Sequence, residues 1–419
     1  MSLTADRGLS STELLQMAVD GRAGWQAVRS VVIDPEGHGA TEVRTAGGSP
    51  RLELVRSKYK PGRKLSAYYR LPACQASGTA HLAVTWSGDG RVTVLRFPAD
   101  PAMPQLHRLS DAGALAALLE SFHGRPRTGP APDVRVVRYQ PGQRHILLAR
   151  SARWRPVYAK TDRDDRGAGA VIAAGLIGGT LARRCPEARV VEPLGHSSQE
   201  RTSLWWQARG QPAAVLIAHG GSAARIAWLT GCAARAIHED CPPGAAFPFR
   251  ADAVEDVRAE AAATLRAGEH IRALFPAVGR TYCRLVAAVT DELERLPAER
   301  PTVVHGDLKA DNLLFDGQRL RLLDFDRARL AEPAHDLGKF LADLRWWCPA
   351  ADVAGLEAAF RAGYGRCDPA RWRRAELLAC MWELKLAARR SDLHDSRWPE
   401  LVRRRTDRAV RSFARARGR

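Results

Sequence analysis

The sequence predicts an α+β protein of 419 residues in which β-rich segments come first and helices follow. Short alternating apolar segments, typical of strands, run from Leu52 to Arg96 and again from Val134 to Lys160. Beyond about residue 210 the apolar spacing becomes helical, over 222–239, 251–275, 277–296, 352–364, 371–390 and 398–415. This length allows two or three domains around a large core.

The segment from Gly124 to Pro132, rich in Pro, Gly and Arg, is the best candidate for a domain boundary. It separates residues 1–125, where a helix is expected over 10–31, from a β-rich segment of residues 131–209 and a helical segment of residues 210–419. Lys58-Tyr-Lys-Pro-Gly recurs 80 residues later as Arg138-Tyr-Gln-Pro-Gly. The first segment could therefore contain a degenerate copy of a β-hairpin, although two unrelated Pro-Gly turns would give the same pattern.

Composition argues against several classes of protein. The net charge of +18 comes from 57 Arg and 7 Lys spread over the chain, without interleaved aromatics, which argues against a nucleic-acid partner. No apolar run approaches the roughly 18 residues of a membrane span, and the first residues do not resemble a secretory signal. The eight cysteines form no Cys-x-x-Cys, so we expect free thiols in the cytoplasm.

Three polar residues follow strand-like segments between Val303 and Asp326. Asp307 follows a short apolar strand and Gly306, Asn312 comes five residues later, and Asp324 follows the apolar segment 320–323. Asp316-Gly317 predicts a hairpin that brings Asn312 and Asp324 to the same end of a strand pair. An amide and a carboxylate oxygen suit Mg²⁺ that holds substrate phosphates. Asp307 would then orient an attacking hydroxyl or take its proton.

The full set in order, His305-Gly306-Asp307, Asn312 and Asp324-Phe325, resembles the catalytic loop of the protein-kinase-like superfamily. Glycine at 306 and the segment from Glu332 to Leu337 are similar to the aminoglycoside phosphotransferase and choline kinase branch. The resemblance implies a bilobal fold with an extra N-terminal α/β domain (1–125), a small lobe (131–209) and a helical lobe (210–419) that carries the catalytic loop 303–326. It also implies that Asp307 is catalytic, that Asn312 and Asp324 bind Mg²⁺, and that Asp336 is structural.

The same resemblance makes Lys160, in Val157-Tyr-Ala-Lys160, the lysine that contacts the nucleotide phosphates, although a surface lysine is the alternative. Its usual partner, a glutamate on the next helix, is missing, because residues 166–186 contain no acid. The hairpin 138–145 would cover the phosphates, with Arg144 as a possible contact. Residues 205–210 fall where the lobe hinge is expected. Asp311 and Asp326 could touch metal or substrate, but we expect solvated loop carboxylates. We expect His238 to be packed or capping rather than catalytic.

The function predicted from these features is transfer of the terminal phosphate of ATP or GTP to a hydroxyl of an antibiotic, sugar or similar metabolite. The family suggests an aminoglycoside, but the basic C-terminal helices argue against a polycation, with Glu376, Glu383, Asp392 and Asp395 among the few acids there. A neutral sugar, a nucleoside or peptide antibiotic, or an acidic acceptor fits the sequence at least as well. The missing glutamate leaves a non-catalytic nucleotide-binding protein as the alternative. Residues 1–125 could cap the nucleotide lobe, mediate a homodimer or only add stability.

Overall fold

The computed structural model describes residues 53–71, 80–89, 91–123, 130–152, 154–242, 257–348, 352–393 and 395–418. The helix expected over residues 10–31 lies outside these ranges. Within them, two antiparallel sheets come first and a helical region follows, as the alternation of the sequence predicts.

The first sheet is an antiparallel meander of four strands in the order β1-β2-β3-β4. The strands are β1 (Glu53–Lys60), β2 (Lys64–Leu71), β3 (Ala80–Ser87) and β4 (Val92–Arg96). Apolar residues that alternate along the strands bury one face of this sheet, among them Tyr59, Leu65, Tyr69 and Trp86. The cationic side chains of Arg56, Lys58 and Arg70 are exposed.

Two helices, α1 (Gln105–Leu109) and α2 (Ala112–His123), connect the first sheet to a second antiparallel sheet in the order β5-β6-β7-β10-β9. Its strands are β5 (Asp133–Gln140), β6 (Arg144–Ser151), β7 (Trp154–Asp162), β9 (Pro193–Ser197) and β10 (Thr202–Trp206). Helix α3 (Arg166–Arg184) and the short strand β8 (Ala188–Val190) lie between β7 and β9. Leu115 and Leu119 of α2 share a buried cluster with Leu147, Val157 and Leu204 of the sheet.

The hairpins β1–β2 and β5–β6 have the same design. Each consists of two strands of eight residues joined by three residues, and each turn has its glycine in the left-handed region, Gly62 at φ 66° and Gly142 at φ 65°. The shared Pro-Gly turn of the sequence therefore gives the same local structure twice. A common origin of the two hairpins stays a prediction.

The helical region begins after a short strand, β11 (Gln211–Pro212). It contains α4 (Ala213–Ala218), α5 (Ala223–Asp240), α6 (Val257–Ala267), α7 (Glu269–Leu274), α8 (Pro276–Arg295), α9 (Ala334–Trp347), α10 (Val353–Tyr364), α11 (Pro369–Arg390) and α12 (Trp398–Ala416). The single helix predicted over 251–275 is broken at Gly268. A Cβ atom there would crowd the ring of Tyr282, so close packing against α8 accounts for the break.

Helix α9 is absent from the sequence prediction, although Leu337, Phe340, Leu341 and Leu344 have the spacing of a helix face. Every residue from Ala334 to Arg345 is buried, the polar ones included. It packs against α11, where Gly338 lies so close to the Ala375 carbonyl that a Cβ atom would overlap it. The polar residues of α9, His335, Asp336, Lys339 and Asp343, are therefore held inside the helical region.

Two small sheets inside the helical region carry the loop segments of the site. Strand β12 (Thr302–Val304) pairs with β15 (Arg329–Ala331). Strands β13 (Leu313–Phe315) and β14 (Leu320–Leu322) form the predicted hairpin, with β11 and β8 on either side. The register Leu313↔Leu322 places Asn312 and Asp324 at the same end of this hairpin, as the sequence indicates.

The first sheet contacts both other parts of the chain. On one side, Asp100 after β4 accepts hydrogen bonds from Tyr139 Oη at 3.0 Å and from the amide of Gly142 at 2.7 Å, in the β5–β6 hairpin. On the other side, Arg63 in the β1–β2 turn forms an ion pair with Glu269 of α7. The first sheet thus bridges the five-stranded sheet and the helical region.

Candidate active site

The loop after β12 turns sharply at Gly306, whose φ is 74°. A Cβ atom at this position would overlap the carbonyl oxygen of Arg327. Only glycine fits both the left-handed backbone and this close approach. The glycine between His305 and Asp307 is therefore required by the backbone of this loop.

Asp336 of α9 binds the backbone of this loop. Its carboxylate accepts hydrogen bonds from the amides of His305 at 2.7 Å and Gly306 at 2.8 Å, and lies 3.3 Å from His238 Nε2. His238 is buried and also contacts Tyr364 Oη at 3.1 Å. The predictions that Asp336 is structural and that His238 is packed are both confirmed.

Asp307 lies between two lysine side chains. Its Oδ2 is 2.6 Å from Lys309 Nζ, and its Oδ1 is 2.9 Å from Lys339 Nζ. Burial raises the pKa of Asp307, but the two ammonium groups outweigh burial and hold its pKa well below the usual range. The carboxylate is therefore ionised at neutral pH, and it suits orientation of a hydroxyl better than removal of its proton in the ground state.

Asn312 and Asp324 offer the hard oxygen ligands expected for a cation. Asn312 Nδ2 donates to the carbonyl oxygen of Asp307 at 2.9 Å and to its Oδ2 at 3.0 Å, which leaves Asn312 Oδ1 as the acceptor. Asp324 has φ 64°, an uncommon conformation for a residue other than glycine. Burial raises the pKa of Asp324, but Lys160 and Arg144 lower it to about 2. An amide oxygen and an ionised carboxylate on one hairpin end fit Mg²⁺.

Lys160 has two carboxylate partners in place of a helix glutamate. It lies in β7, near the middle of the five-stranded sheet, and its Nζ is 2.7 Å from Asp324 Oδ1 and 2.6 Å from both oxygens of Asp326. The expectation that Asp326 is a solvated carboxylate is wrong, because its side chain is only 8% exposed. The loop after Asp324 brings Asp326 to the lysine of β7.

Arg144 is the second cationic partner of Asp326. Its Nε is 2.7 Å from Asp162 Oδ1, and a terminal guanidinium nitrogen forms an ion pair with Asp326. Burial lowers the pKa of Arg144, but Asp326 and Asp162 raise it by more, so the pKa of Arg144 lies above its usual value. Arg144 is the first residue of β6. Its ion pair with Asp326 therefore connects the β5–β6 hairpin to the loop that carries Asp324.

Asp311 is the exposed loop carboxylate that the sequence predicts, but it has a partner. Arg390 of α11 forms ion pairs with Asp311 and, at 2.7 Å, with Asp343 of α9. Asp343 in turn accepts a hydrogen bond from the amide of Ala310 at 2.6 Å. These contacts anchor the segment between Asp307 and Asn312 to the helices below it.

Sequence reasoning missed Lys309, Lys339 and Asp343. Lys309 stands two residues after Asp307 in a chain with 7 lysines, and that rarity was a usable signal. Lys339 and Asp343 lie on the fully buried helix α9, whose residues show no pattern that separates a site residue from a core residue.

The tryptophans at the predicted hinge differ in environment. Trp205 is buried in the main core and its Nε1 donates to Ser203 Oγ at 2.9 Å, while the ring of Trp206 lies 5.3 Å from that of His123. Both are packing residues. The backbone beyond them stays the predicted contact of the nucleotide base.

Among the residues that the structure describes, no group of three His, Cys, Asp or Glu side chains is arranged to hold a metal. No described helix is long and apolar enough to cross a membrane.

The chain is similar to known proteins in sequence and in fold. The model of the phosphotransferase enzyme family matches residues 83–378, and this match begins within β3, upstream of the boundary predicted from the sequence. A homoserine kinase of Pseudomonas aeruginosa (strain UCBPP-PA14) is 35% identical over 137 residues, which cover 31% of this chain and 36% of that protein. The chain thus aligns with about a third of the length of this curated relative.

Solved structures show a similar fold. Choline kinase from Cryptosporidium parvum Iowa II superposes with a TM-score of 0.50 at 9% identity, over 73% of this chain and 96% of that one. A choline/ethanolamine kinase family protein from Mesorhizobium loti gives a TM-score of 0.49 at 18% identity, over 72% and 94%. The fold is that of the protein-kinase-like phosphotransferases. Because the family model matches more than half of the chain, the protein belongs to the phosphotransferase enzyme family.

Proposed function

We propose that the protein transfers the terminal phosphate of ATP or GTP to a hydroxyl group of a small molecule. The observation that carries this proposal is the meeting of Asp307, Asn312, Asp324 and Lys160 from three separate segments at one cleft. Phosphoryl transfer needs mainly positioning and neutralisation of charge, and these residues supply both.

Asp307 is the residue that we assign to the acceptor. Held between Lys309 and Lys339, its carboxylate can accept a hydrogen bond from the attacking hydroxyl and fix the angle of attack. The proton leaves the hydroxyl as the new bond to phosphorus forms. Asn312 keeps Asp307 in place through its two amide hydrogen bonds.

Asn312 Oδ1 and the Asp324 carboxylate are the side chains that we assign to Mg²⁺. When bound, the cation would neutralise charge on the phosphates of the nucleotide. Lys160 would contact the same phosphates, and Asp326 orients its ammonium group as a helix glutamate would. The segment after β10 is the proposed site of the nucleotide base, and nothing in it separates adenine from guanine.

The relatives support a small acceptor with a hydroxyl group, since their names refer to kinases of homoserine and choline. No observation favours the non-catalytic alternative. The missing glutamate that motivates it is replaced, because Lys160 has carboxylate partners within 2.7 Å.

Substitution of Asp307 tests the proposal. Asp307→Asn in the full chain should lower kcat by about 10²–10⁴-fold, the range for loss of a general base or orienting carboxylate, and leave nucleotide affinity intact. The readout is transfer of labelled phosphate from ATP or GTP with Mg²⁺, to an added acceptor or to water. Asp316→Asn, on the far turn of the β13–β14 hairpin, is the matched control. Unchanged turnover in a folded Asp307→Asn protein would refute the assignment.

A further inference from the structure

The acidic side chains of the C-terminal helices are already neutralised inside the protein. Glu376 and Glu383 of α11 accept from the two terminal nitrogens of Arg345 at 2.6 and 3.0 Å, and Arg345 is only 4% exposed. Glu376 and Glu383 cannot serve a cationic acceptor without losing these ion pairs to the buried Arg345, which is costly. Asp395 pairs with Arg397 at the surface, at 3.0 Å.

Cations also surround the base of the cleft. Lys339 lies 3.3 Å and Lys385 lies 4.2 Å from the ring centroid of Trp382 on α11, and Lys339 pairs with Asp307. Beside them, Arg389 and Arg327 are both exposed, and each has no ion pair with a carboxylate in the part of the chain that the structure describes. A polyamine approaching Asp307 would meet like charges.

A cavity of about 460 Å³ opens between the first sheet and strand β5. Its lining includes the cations Arg56, Lys58, Arg70 and Arg138, together with Tyr68 and His81. None of the described residues that line it is Asp or Glu. A cavity walled by four cations and by groups that donate hydrogen bonds suits an anion.

Three of the four cations of this cavity differ from Lys160 and Arg144, which have carboxylate partners. Among the residues described, Arg56, Lys58 and Arg138 form no ion pair with a carboxylate. Burial and the neighbouring charges of Lys60, Arg56 and Arg389 lower the pKa of Lys58. Positive charges thus crowd one another here, and a bound anion would relieve that repulsion.

The cavity adjoins the catalytic cleft. The β5–β6 hairpin contributes Arg138 and Gln143 to the lining of the cavity, and the next residue, Arg144, forms ion pairs with Asp162 and Asp326. One hairpin therefore joins the cavity to the loop that carries Asp324 and Asp326.

We propose that the cavity between β1 and β5 binds a phosphate or carboxylate group of the acceptor, which is therefore an acidic hydroxyl compound. The first sheet would then complete the acceptor site, with Arg56 and Lys58 as specificity residues. This inference rests on the proposed phosphotransferase function. The phosphates of the nucleotide are the other source of the same chemistry, and the experiment separates the two.

The test measures binding of small anions to the full chain saturated with Mg²⁺ and a non-hydrolysable ATP analogue. Glycerol 3-phosphate and D-glycerate are the probes, with glycerol as the neutral comparator, titrated by calorimetry. We expect saturable binding of at least one anion and none of glycerol. Arg56→Ser/Lys58→Ser should weaken that binding about tenfold or more, because two charged hydrogen-bond donors are lost. Lys64→Ser, an exposed lysine of β2 outside the cavity, should leave it unchanged.

Three outcomes would overturn the inference: no saturable binding of either anion, equal weakening by Lys64→Ser, or loss of nucleotide affinity in the double variant with anion binding unchanged. The last outcome would assign the cations to the nucleotide. Repeating the titration without nucleotide keeps the two proposals apart. A protein that binds the anion but never binds Mg²⁺ and nucleotide would refute the phosphotransferase proposal and not the anion site.

Discussion

Asp326 is a carboxylate partner of Lys160, whose expected glutamate partner on the next helix is missing. Because both of its oxygens lie 2.6 Å from Lys160 Nζ, it orients the ammonium group without help from α3, which carries no acid. Arg144 keeps Asp326 in position from the other side. We propose that this trio takes the place of the lysine and helix glutamate that the family resemblance implies.

Asp326→Asn should therefore weaken the interaction with nucleotide. Loss of a charged hydrogen-bond partner costs about 1.5–3 kcal/mol, so we expect a roughly 10- to 100-fold lower kcat/KM for nucleotide. Steady-state kinetics at varied nucleotide concentration measure this change. Lys160→Met should add little to the effect of Asp326→Asn if the two act as one unit.

Asp164→Asn is the control for this cycle, since Asp164 is exposed and pairs with Arg166 on the surface. Full additivity of Asp326→Asn and Lys160→Met would show that the two residues act independently.

The residues of the candidate site differ in how far the sequence could predict them. Asn312 and Asp324 could be placed together because a short hairpin joins them, and the register bears this out. Asp326 could not be paired with Lys160, because the two are 166 residues apart and the contact depends on how the sheet packs on the loop. Lys339 could not be paired with Asp307 for the same reason, since the two lie on separate segments that meet only in the folded chain. Local geometry could thus be predicted from sequence, whereas contacts between segments could not.

At the scale of elements, the sequence predicts several amphipathic helices but does not predict helix α9. The apolar spacing over 277–296 corresponds to α8 at Pro276–Arg295, and that over 398–415 corresponds to α12 at Trp398–Ala416. Helix α9 lies between α11 and the catalytic loop, so all its faces are buried. Such a helix holds Asp336, Lys339 and Asp343 in fixed positions, and its packing should control both stability and activity.

Gly338 of α9 offers a test of that packing. A Cβ atom there would overlap the Ala375 carbonyl and crowd Leu378, so Gly338→Ala must push α9 and α11 apart. Overpacking of this kind costs typically about 1–3 kcal/mol, and we expect a lower free energy of unfolding in chemical denaturation. Activity should fall as well, because α9 positions Asp336 and Lys339.

Gly175→Ala in α3 is the matched control. It lies in the middle of an exposed helix face with nothing within 4 Å of the added methyl group, and should stabilise the protein by about 0.5–1 kcal/mol. If Gly338→Ala stabilises the protein as Gly175→Ala does, the close contact between α9 and α11 is not as described.

At the scale of the whole molecule, an aromatic junction joins the first sheet to the five-stranded sheet. The ring of His145 in β6 stacks on Phe97 at 4.8 Å, and the Phe97 ring lies 5.3 Å from that of Tyr139. His145 is fully buried, and its two ring nitrogens have no hydrogen-bond partner among the residues described. The junction therefore requires a neutral imidazole.

This requirement predicts a loss of stability in acid. Burial and the nearby His81 lower the pKa of His145 to about 3, whereas an unfolded histidine titrates near about 6.5. Between these values the unfolded chain binds a proton that the folded chain does not, so this stability is complete above about pH 6.5 and is lost as the pH falls toward 3. The slope for one such group is at most about 1.4 kcal/mol per pH unit.

His145→Phe should remove that part of the slope, because phenylalanine fits an apolar stack and cannot titrate. The measurement is the free energy of unfolding between pH 7 and 4.5 at constant ionic strength, for the wild type, His145→Phe and the exposed-residue control His107→Gln. His270, whose burial lowers its pKa to about 4, contributes equally to all three proteins. A wild-type slope retained in full by His145→Phe would show that the junction does not depend on a neutral His145. A smaller change of the free energy of unfolding with pH in that variant alone would show that protonation of His145 destabilises the aromatic junction between the first sheet and the five-stranded sheet.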